Sequence, residues 1–167
     1  PAYGGTPDDA AIIEAIRDLK ARGLKVVLYP FVLMDVPDGN GLVDPQGGPE
    51  QPAYPWRGRL TTAPAPDLPG TPDRTAAVRA EIAALSGQTP VSDMVVTGDS
   101  VSWAGGDDGY RRFVLHHAAL AQAAGGVDGF LVGSEMVGLT RLRDETGAFP
   151  FVEELVALAA DAKAMLG

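Results

Sequence analysis

Cysteine is absent from the 167 residues, which removes disulfide frameworks, thiolate zinc sites and cysteine nucleophiles. Histidine is nearly absent: His116 and His117 are the only two. Neighbours on a helix point about 100° apart, so this pair cannot chelate one ion, and no metal is expected. Basic residues are scarce, 13 against 22 acidic, giving a formal net charge of −9. A polyphosphate would meet a repulsive field, so nucleic acid is not an expected partner. Long hydrophobic runs are missing too. The longest, residues 26–34, falls far short of the roughly 18 residues of a membrane span, so none is expected. The opening PAYGGTPDDA lacks a basic stretch followed by an apolar one, and no signal peptide is expected there.

What is present fits one soluble domain with a real core: 46% hydrophobic and 21% charged residues. The 21 glycines and 14 prolines imply a long irregular stretch without a collagen period.

Thr6-Pro7-Asp8-Asp9 predicts a helix start, with Thr6 as cap, Pro7 at the first helical position and acids in the first turn. Ile12, Ile13, Ile16 and Leu19 follow at helical spacing, and Gly23 is a left-handed stop. Residues 25–34 (KVVLYPFVLM) predict a strand apolar on both faces, with Pro30 as a point of fraying. Residues 36–72 hold nine of the 14 prolines and no lasting periodicity. They read as a long excursion, and such excursions in compact domains are usually functional or else disordered; Tyr54, Trp56 and two arginines argue against disorder. Thr71-Pro72-Asp73 predicts a second helix to about Ser86, closed by Gly87. Residues 91–103 suggest a short strand or hairpin. A third helix is expected over 109–124, burying Tyr110, Phe113, Val114, His117 and Ala121, with His117 as a core histidine. A strand over 127–133 leads into Ser134-Glu135, and a last helix starts near Pro150 with Phe151, Leu155, Leu158 and Met165 inward.

Alternation of helices with strands implies α/β architecture, with parallel strands joined by right-handed crossovers. Two strands make no stable sheet alone, and an eight-stranded barrel takes about 250 residues. The expected fold is therefore a partial (β/α)8 TIM-barrel-like fold, a single domain over 1–167 with 36–72 as a long inserted loop. The outer edge of the first strand and the faces of both strands should be covered by partners, swapped chains or the long loop.

In such folds ligands collect beyond the carboxyl ends of the strands, where Glu135 stands. Period two groups it with Gly129, Leu131 and Gly133. A partly desolvated carboxylic acid there suits general-acid chemistry; the alternative is an ordinary polar residue opening a loop. Tyr54, Trp56, Trp103 and Tyr110 lie on or beside loops of the same presumed face. Sugar C–H faces stack on such rings, and Arg57 or Asp35 could bond sugar hydroxyls; alternatively, Trp56 and Trp103 pin the Pro-rich loop. No G-x-S-x-G elbow surrounds Ser100, Ser102 or Ser134, and neither Gly47-Gly48 nor Gly105-Gly106 opens a phosphate loop, so no cofactor is expected. Arg111-Arg112 reads as a solvated or ion-paired face.

GVDGFLVGSEM (126–136) resembles the fourth strand of clan A, β-mannanase-like glycoside hydrolases, where an acid/base glutamate closes the strand. TPDDAAIIEAIRDLKARGLKVVLYPFVLMDVPDGNG, PAYPWRGRL and RRFVLHHAALAQAAGGVDGFLVGSEM resemble the TIM-barrel-like domain of the tail-tip, or host-specificity, protein of gene transfer agents and related tailed phages. The resemblance implies a bacterial, tail-associated protein acting at the cell envelope on a polysaccharide or peptidoglycan glycan, with other tail subunits as possible partners. It puts Glu135 on the acid/base position and Asp35 in a subsite. A retaining glycosidase needs a second carboxylate about 5–5.5 Å away. In clan A that group ends the seventh strand, which this chain does not contain, so the chain alone is expected to be inactive. A non-catalytic structural or carbohydrate-recognition module is the alternative.

Overall fold

A computed structural model describes residues 7–167. The first element, α1 (Asp9–Ala21), is capped by Asp8, whose carboxylate accepts the Ala11 N–H at 2.8 Å. Thr6, the expected cap, lies outside the described residues, and Pro7 precedes the helix rather than opening it. Ile13 and Ile16 are buried, and Gly23 ends the helix at φ 76°.

The strand expected over 25–34 shrinks to β1 (Val27–Leu28). Its two-faced burial is corrected as well: from Lys25 to Asp35 exposure alternates, and Val27 is 59% exposed, with Tyr29, Phe31 and Leu33 also open. Pro30 removes a ladder N–H, and the only partner among the described residues is the equally short β4 (Gly129–Phe130), where a strand over 127–133 was expected. The two run parallel with Val27 opposite Gly129. The Leu131 N–H still donates to the Leu28 carbonyl, but the Val132 carbonyl accepts the Tyr110 hydroxyl instead of a ladder bond.

The second helix, α2 (Ala77–Ser86), begins later than expected. Thr71 accepts the Asp73 N–H, Asp73 is spent on the Arg143 N–H, and Arg74 is left-handed at φ 65°, so the chain becomes helical only beyond Thr75, which accepts the Ala77 N–H. The hairpin over 91–103 is present as β2 (Met94–Thr97) and β3 (Ser100–Trp103), antiparallel about Gly98-Asp99. Helix α3 (Tyr110–Ala123) buries more than its expected face: Leu115, Ala118, Ala119 and Leu120 join Tyr110, Val114 and Ala121, while Phe113 and His117 are half-buried. A short α4 (Val137–Thr140), not foreseen, precedes α5 (Pro150–Leu166).

The chain divides into two compact units. Pro1–Pro30, Leu85–Val132 and Leu155–Gly167 form one, whose core joins Ile13, Ile16, Val26, Leu120 and Ala124, flanked by Ile12, Leu28, Val101 and Val127. Lys20 donates to the carbonyls of Gly125 and Gly126, and Arg17 pairs with Asp99 on the hairpin turn at 2.6 Å. The other unit is Phe31–Ala84 with Gly133–Glu154; it buries Val78, Ile82, Met136, Leu139, Leu142 and Phe151. Among the described residues the parallel strands and helices form no closed barrel, and the mixed α/β arrangement is that of a partial TIM-barrel-like fold. No described helix is long and apolar enough to cross a membrane.

Candidate functional site

Residues 36–72 contain one helical turn, Arg57–Arg59, and this turn builds the site. Gly58 is buried, and a Cβ on it would drive into the six-membered ring of Trp56. The indole therefore packs directly against the backbone of the turn, an approach only glycine allows. Gly138 on α4 repeats the device, because a Cβ there would strike the carbonyls of Gly58 and Leu60. Two glycines thus seat the turn directly on the segment that carries Glu135.

Trp56 Nε1–H donates to Glu135 Oε2 at 2.9 Å, and Arg57 Nη2 lies 2.7 Å from the same oxygen. Arg57 also donates through Nε to the Ser134 carbonyl at 3.1 Å and through Nη2 to the Ser134 hydroxyl at 3.2 Å. Its guanidinium lies over the Phe31 ring, 4.6 Å from the centroid, so a cation–π contact backs the fork of hydrogen bonds. The Arg57 side chain is only 15% exposed, while Glu135 keeps 52% and Trp56 remains open. A half-buried cation thus presents an accessible carboxylate beside an accessible aromatic side chain.

Glu135 has φ 53°, a left-handed conformation that disfavours side chains with a Cβ; Tyr54, two residues before Trp56, has φ 44°. Strain of this kind persists where surrounding contacts over-determine it, and it gathers at functional sites. At Glu135 those contacts are the Trp56 and Arg57 bonds.

Of the residues singled out from sequence, the structure brings Trp56, Arg57 and Glu135 together. Tyr54 is exposed nearby in the chain, with its N–H donating to the Val36 carbonyl. Asp35 is exposed and takes no part in the contacts of this cluster. Trp103 belongs to the other unit, where the Arg112 guanidinium covers its ring at 4.4 Å and Gly105 packs against its indole edge. Tyr110 is buried in that unit with its hydroxyl on the Val132 carbonyl. His117, expected in the core, is half-buried: Nδ1 lies 2.8 Å from the Phe113 carbonyl, and burial pushes its pKa down. Arg111 pairs with Asp161, and Arg112 lies near Asp108. Phe31 and Ser134 were missed. Phe31 sits in a run read as core, although period two from Val27 to Asp35 was a signal that one face ends on a carboxylate. Among the described residues no group of three or more His, Asp or Glu side chains is placed to hold a metal ion.

The same unit carries a second charged cluster, of structural character. Buried Asp144 accepts the Thr146 hydroxyl at 2.7 Å, the Thr146 and Ala148 N–H groups and Arg79 Nε. The Thr146 hydroxyl above all, then Arg79 and the two amides, draws its carboxyl down to about 2.

Residues 108–167 match the family of the GTA TIM-barrel-like domain, GTA denoting gene transfer agent. The match takes in α3, β4, Glu135, α4 and α5; Asp35, Tyr54, Trp56, Arg57 and Trp103 lie before it. The resemblance to the TIM-barrel-like domain of gene transfer agents is thus shown for this part of the chain. No curated protein matches the chain.

Proposed function

We propose that the chain is the glycan-facing part of a glycoside-hydrolase-like barrel in a host-specificity protein of a gene-transfer-agent or phage-tail type. In this reading it forms one domain over 1–167, with 36–72 inserted, and works at the bacterial cell envelope on a polysaccharide or peptidoglycan glycan. Glu135 is the general acid/base of the complete barrel. The observation that carries the reading is the strained Glu135, whose carboxylate is aimed by Trp56 and Arg57 yet stays accessible.

The chemistry asks little more of these residues. Glu135 gives a proton to the glycosidic oxygen as the bond breaks and takes one back from water as the product is released. Arg57 fixes the rotamer of Glu135, and Trp56 and Tyr54 offer ring faces to sugar C–H groups. Asp35, exposed at the head of the excursion, is a subsite residue. Trp103 is left out of this wall because its ring is engaged by Arg112. The nucleophile of a clan A-like retaining mechanism comes from a strand that is not among the described residues.

In a polypeptide that carries the complete barrel, reducing ends released from purified envelope glycans measure the reaction. Glu135→Gln should lower the rate by about 10²-fold or more, and equal rates would sink the assignment. One observation favours a second reading, a non-catalytic recognition module: no other carboxylate joins the Glu135 cluster among the described residues. That reading holds if neither protein releases reducing ends while both retain glycan, and retention falls on Trp56→Ala.

A further inference from the structure

Asn40 is the only asparagine of the chain, and Gly41 follows it. In such a pair the side-chain amide is readily attacked by the next backbone nitrogen, because glycine puts no Cβ in the way. Both residues belong to the excursion, in a turn where Gly39 and Gly41 take φ 67° and 64°. Side chains close this turn. Asn40 Nδ2 donates to the Pro37 carbonyl at 2.9 Å and to the Gln51 carbonyl at 2.8 Å, while Oδ1 accepts the Leu42 N–H at 2.8 Å. Two carbonyls on one side and an N–H on the other fix which way the amide faces. Glu50 takes the two glycine N–H groups on separate oxygens, Gly39 on Oε1 at 3.2 Å and Gly41 on Oε2 at 2.9 Å. Asn40 and Glu50 are half-buried, whereas both glycines are open to water.

The chemistry these bonds restrain needs only water. The Gly41 nitrogen bonds to Asn40 Cγ and gives its proton to solvent; the Cγ–Nδ2 bond breaks, and the amide nitrogen leaves as ammonia with a proton taken from water. Water then opens the cyclic imide at either carbonyl, giving aspartate or isoaspartate, in which the backbone runs through Cβ. Turning Cγ onto the Gly41 nitrogen gives up the Asn40 bonds and the Gly41–Glu50 bond, so the reaction proceeds from the opened turn. The product cannot close the turn again. A carboxylate oxygen would face the Pro37 and Gln51 carbonyls with no hydrogen to share, on a turn already carrying the Glu50 charge. We propose that Asn40 is a gated deamidation site, kept intact by the Glu50 clamp and converted irreversibly when the turn opens. Conversion frees Gln51, from which the chain runs on to Tyr54 and Trp56. None of this depends on Glu135 or on a glycan.

Ageing the protein in mildly alkaline buffer tests it, with mass spectra following the replacement of the amide NH2 by OH and fragment spectra placing it at residue 40. The folded chain should convert about tenfold or more slowly than the same chain in urea, since only the open fraction reacts. Glu50→Ala should speed the folded chain about tenfold or more, the factor for losing a hydrogen bond to a charged group. Glu50→Gln keeps one acceptor oxygen and should speed it less; this variant carries the test should Glu50→Ala lose the helical circular dichroism of the parent. In Asn40→Asp, hydrogen exchange should quicken at Gly39, Gly41 and Gln51. Equal rates with and without urea, equal rates in the parent and the Glu50 variants, or unchanged exchange in Asn40→Asp would overturn the proposal. So would slower conversion in the Glu50 variants, which would make Glu50 the base that draws the Gly41 proton rather than the clamp that holds it.

Discussion

The unit of α1, the hairpin and α3 on one hand and the excursion over 36–72 on the other are held together by different physics. In the unit of α1, the hairpin and α3, apolar side chains at helical spacing bury one another, and α3 presents buried residues from Tyr110 to Ala121. In the excursion, polar side chains substitute for a core. Asp44 gathers two amides and Arg59, Glu50 takes the Gly39 and Gly41 N–H groups, and Asn40 bridges to the Gln51 carbonyl. Apolar burial is indifferent to direction, whereas these bonds fix backbone in turns and leave aromatic rings outside. The difference teaches why the candidate site belongs to the second kind of region. A loop tied by its own polar groups can expose Trp56 and aim Glu135 without losing its shape.

Four substitutions or titrations would break or sharpen that contrast. The largest effect is expected in the apolar unit: Leu120→Ala should cost about 2–5 kcal/mol by denaturant unfolding, since a fully buried leucine leaves a cavity. Next, Asp44→Ala should cost about 1–3 kcal/mol, and hydrogen exchange should speed at Gln46 and Gly48 while α3 amides keep their protection. Equal loosening of α3 would erase the distinction between the two regions. Gly58→Ala should cost about 1–3 kcal/mol by displacing the indole, and should shift the emission of Trp56.

The smallest effects are those of pH, and they run in one direction. Asp144 has a folded pKa of about 2, below its ordinary 3.8, so its contribution is present above about pH 4 and is lost as pH falls toward 2. His117 is held low by burial and by neighbouring His116, against the Phe113 carbonyl and Asp9. The folded state therefore takes up this proton less readily than the unfolded chain, so stability should decline as pH falls below about 6.5. Melting temperatures of the protein and of Asp144→Asn across this range check both; a flat profile below pH 4 would remove the role given to Asp144.

Elements with one strong period were legible in the sequence. Helix α1, α3 and α5 follow Ile13-Ile16, Val114-Ala121 and Phe151-Leu158, and the Gly98-Asp99 turn marks the hairpin. Strand lengths were not, because a strand's extent depends on its neighbours: among the described residues β1 and β4 pair only with each other, and Pro30 interrupts what an apolar run suggests. The start of α2 was misplaced because Thr71-Pro72-Asp73 has the residues of a cap, while Asp73 is used by the distant Arg143 N–H. At the site, Glu135, Trp56 and Arg57 could be nominated from residue type and resemblance. Their convergence could not, because it depends on Gly58 and Gly138 permitting close approach. The Asp44–Arg59 pair left no periodic trace at all.

The chain has two tryptophans, one in each unit, and Trp56 Nε1–H is bonded to Glu135. Titrating the 15N-labelled protein with soluble peptidoglycan glycan fragments therefore tests the central claim most directly. The indole N–H signal of Trp56 should move on binding and that of Trp103 should stay, with the Trp56 shift lost in Glu135→Ala. A response at Trp103 alone, or at neither indole, would contradict the assignment of glycan contact to the Trp56–Arg57–Glu135 cluster.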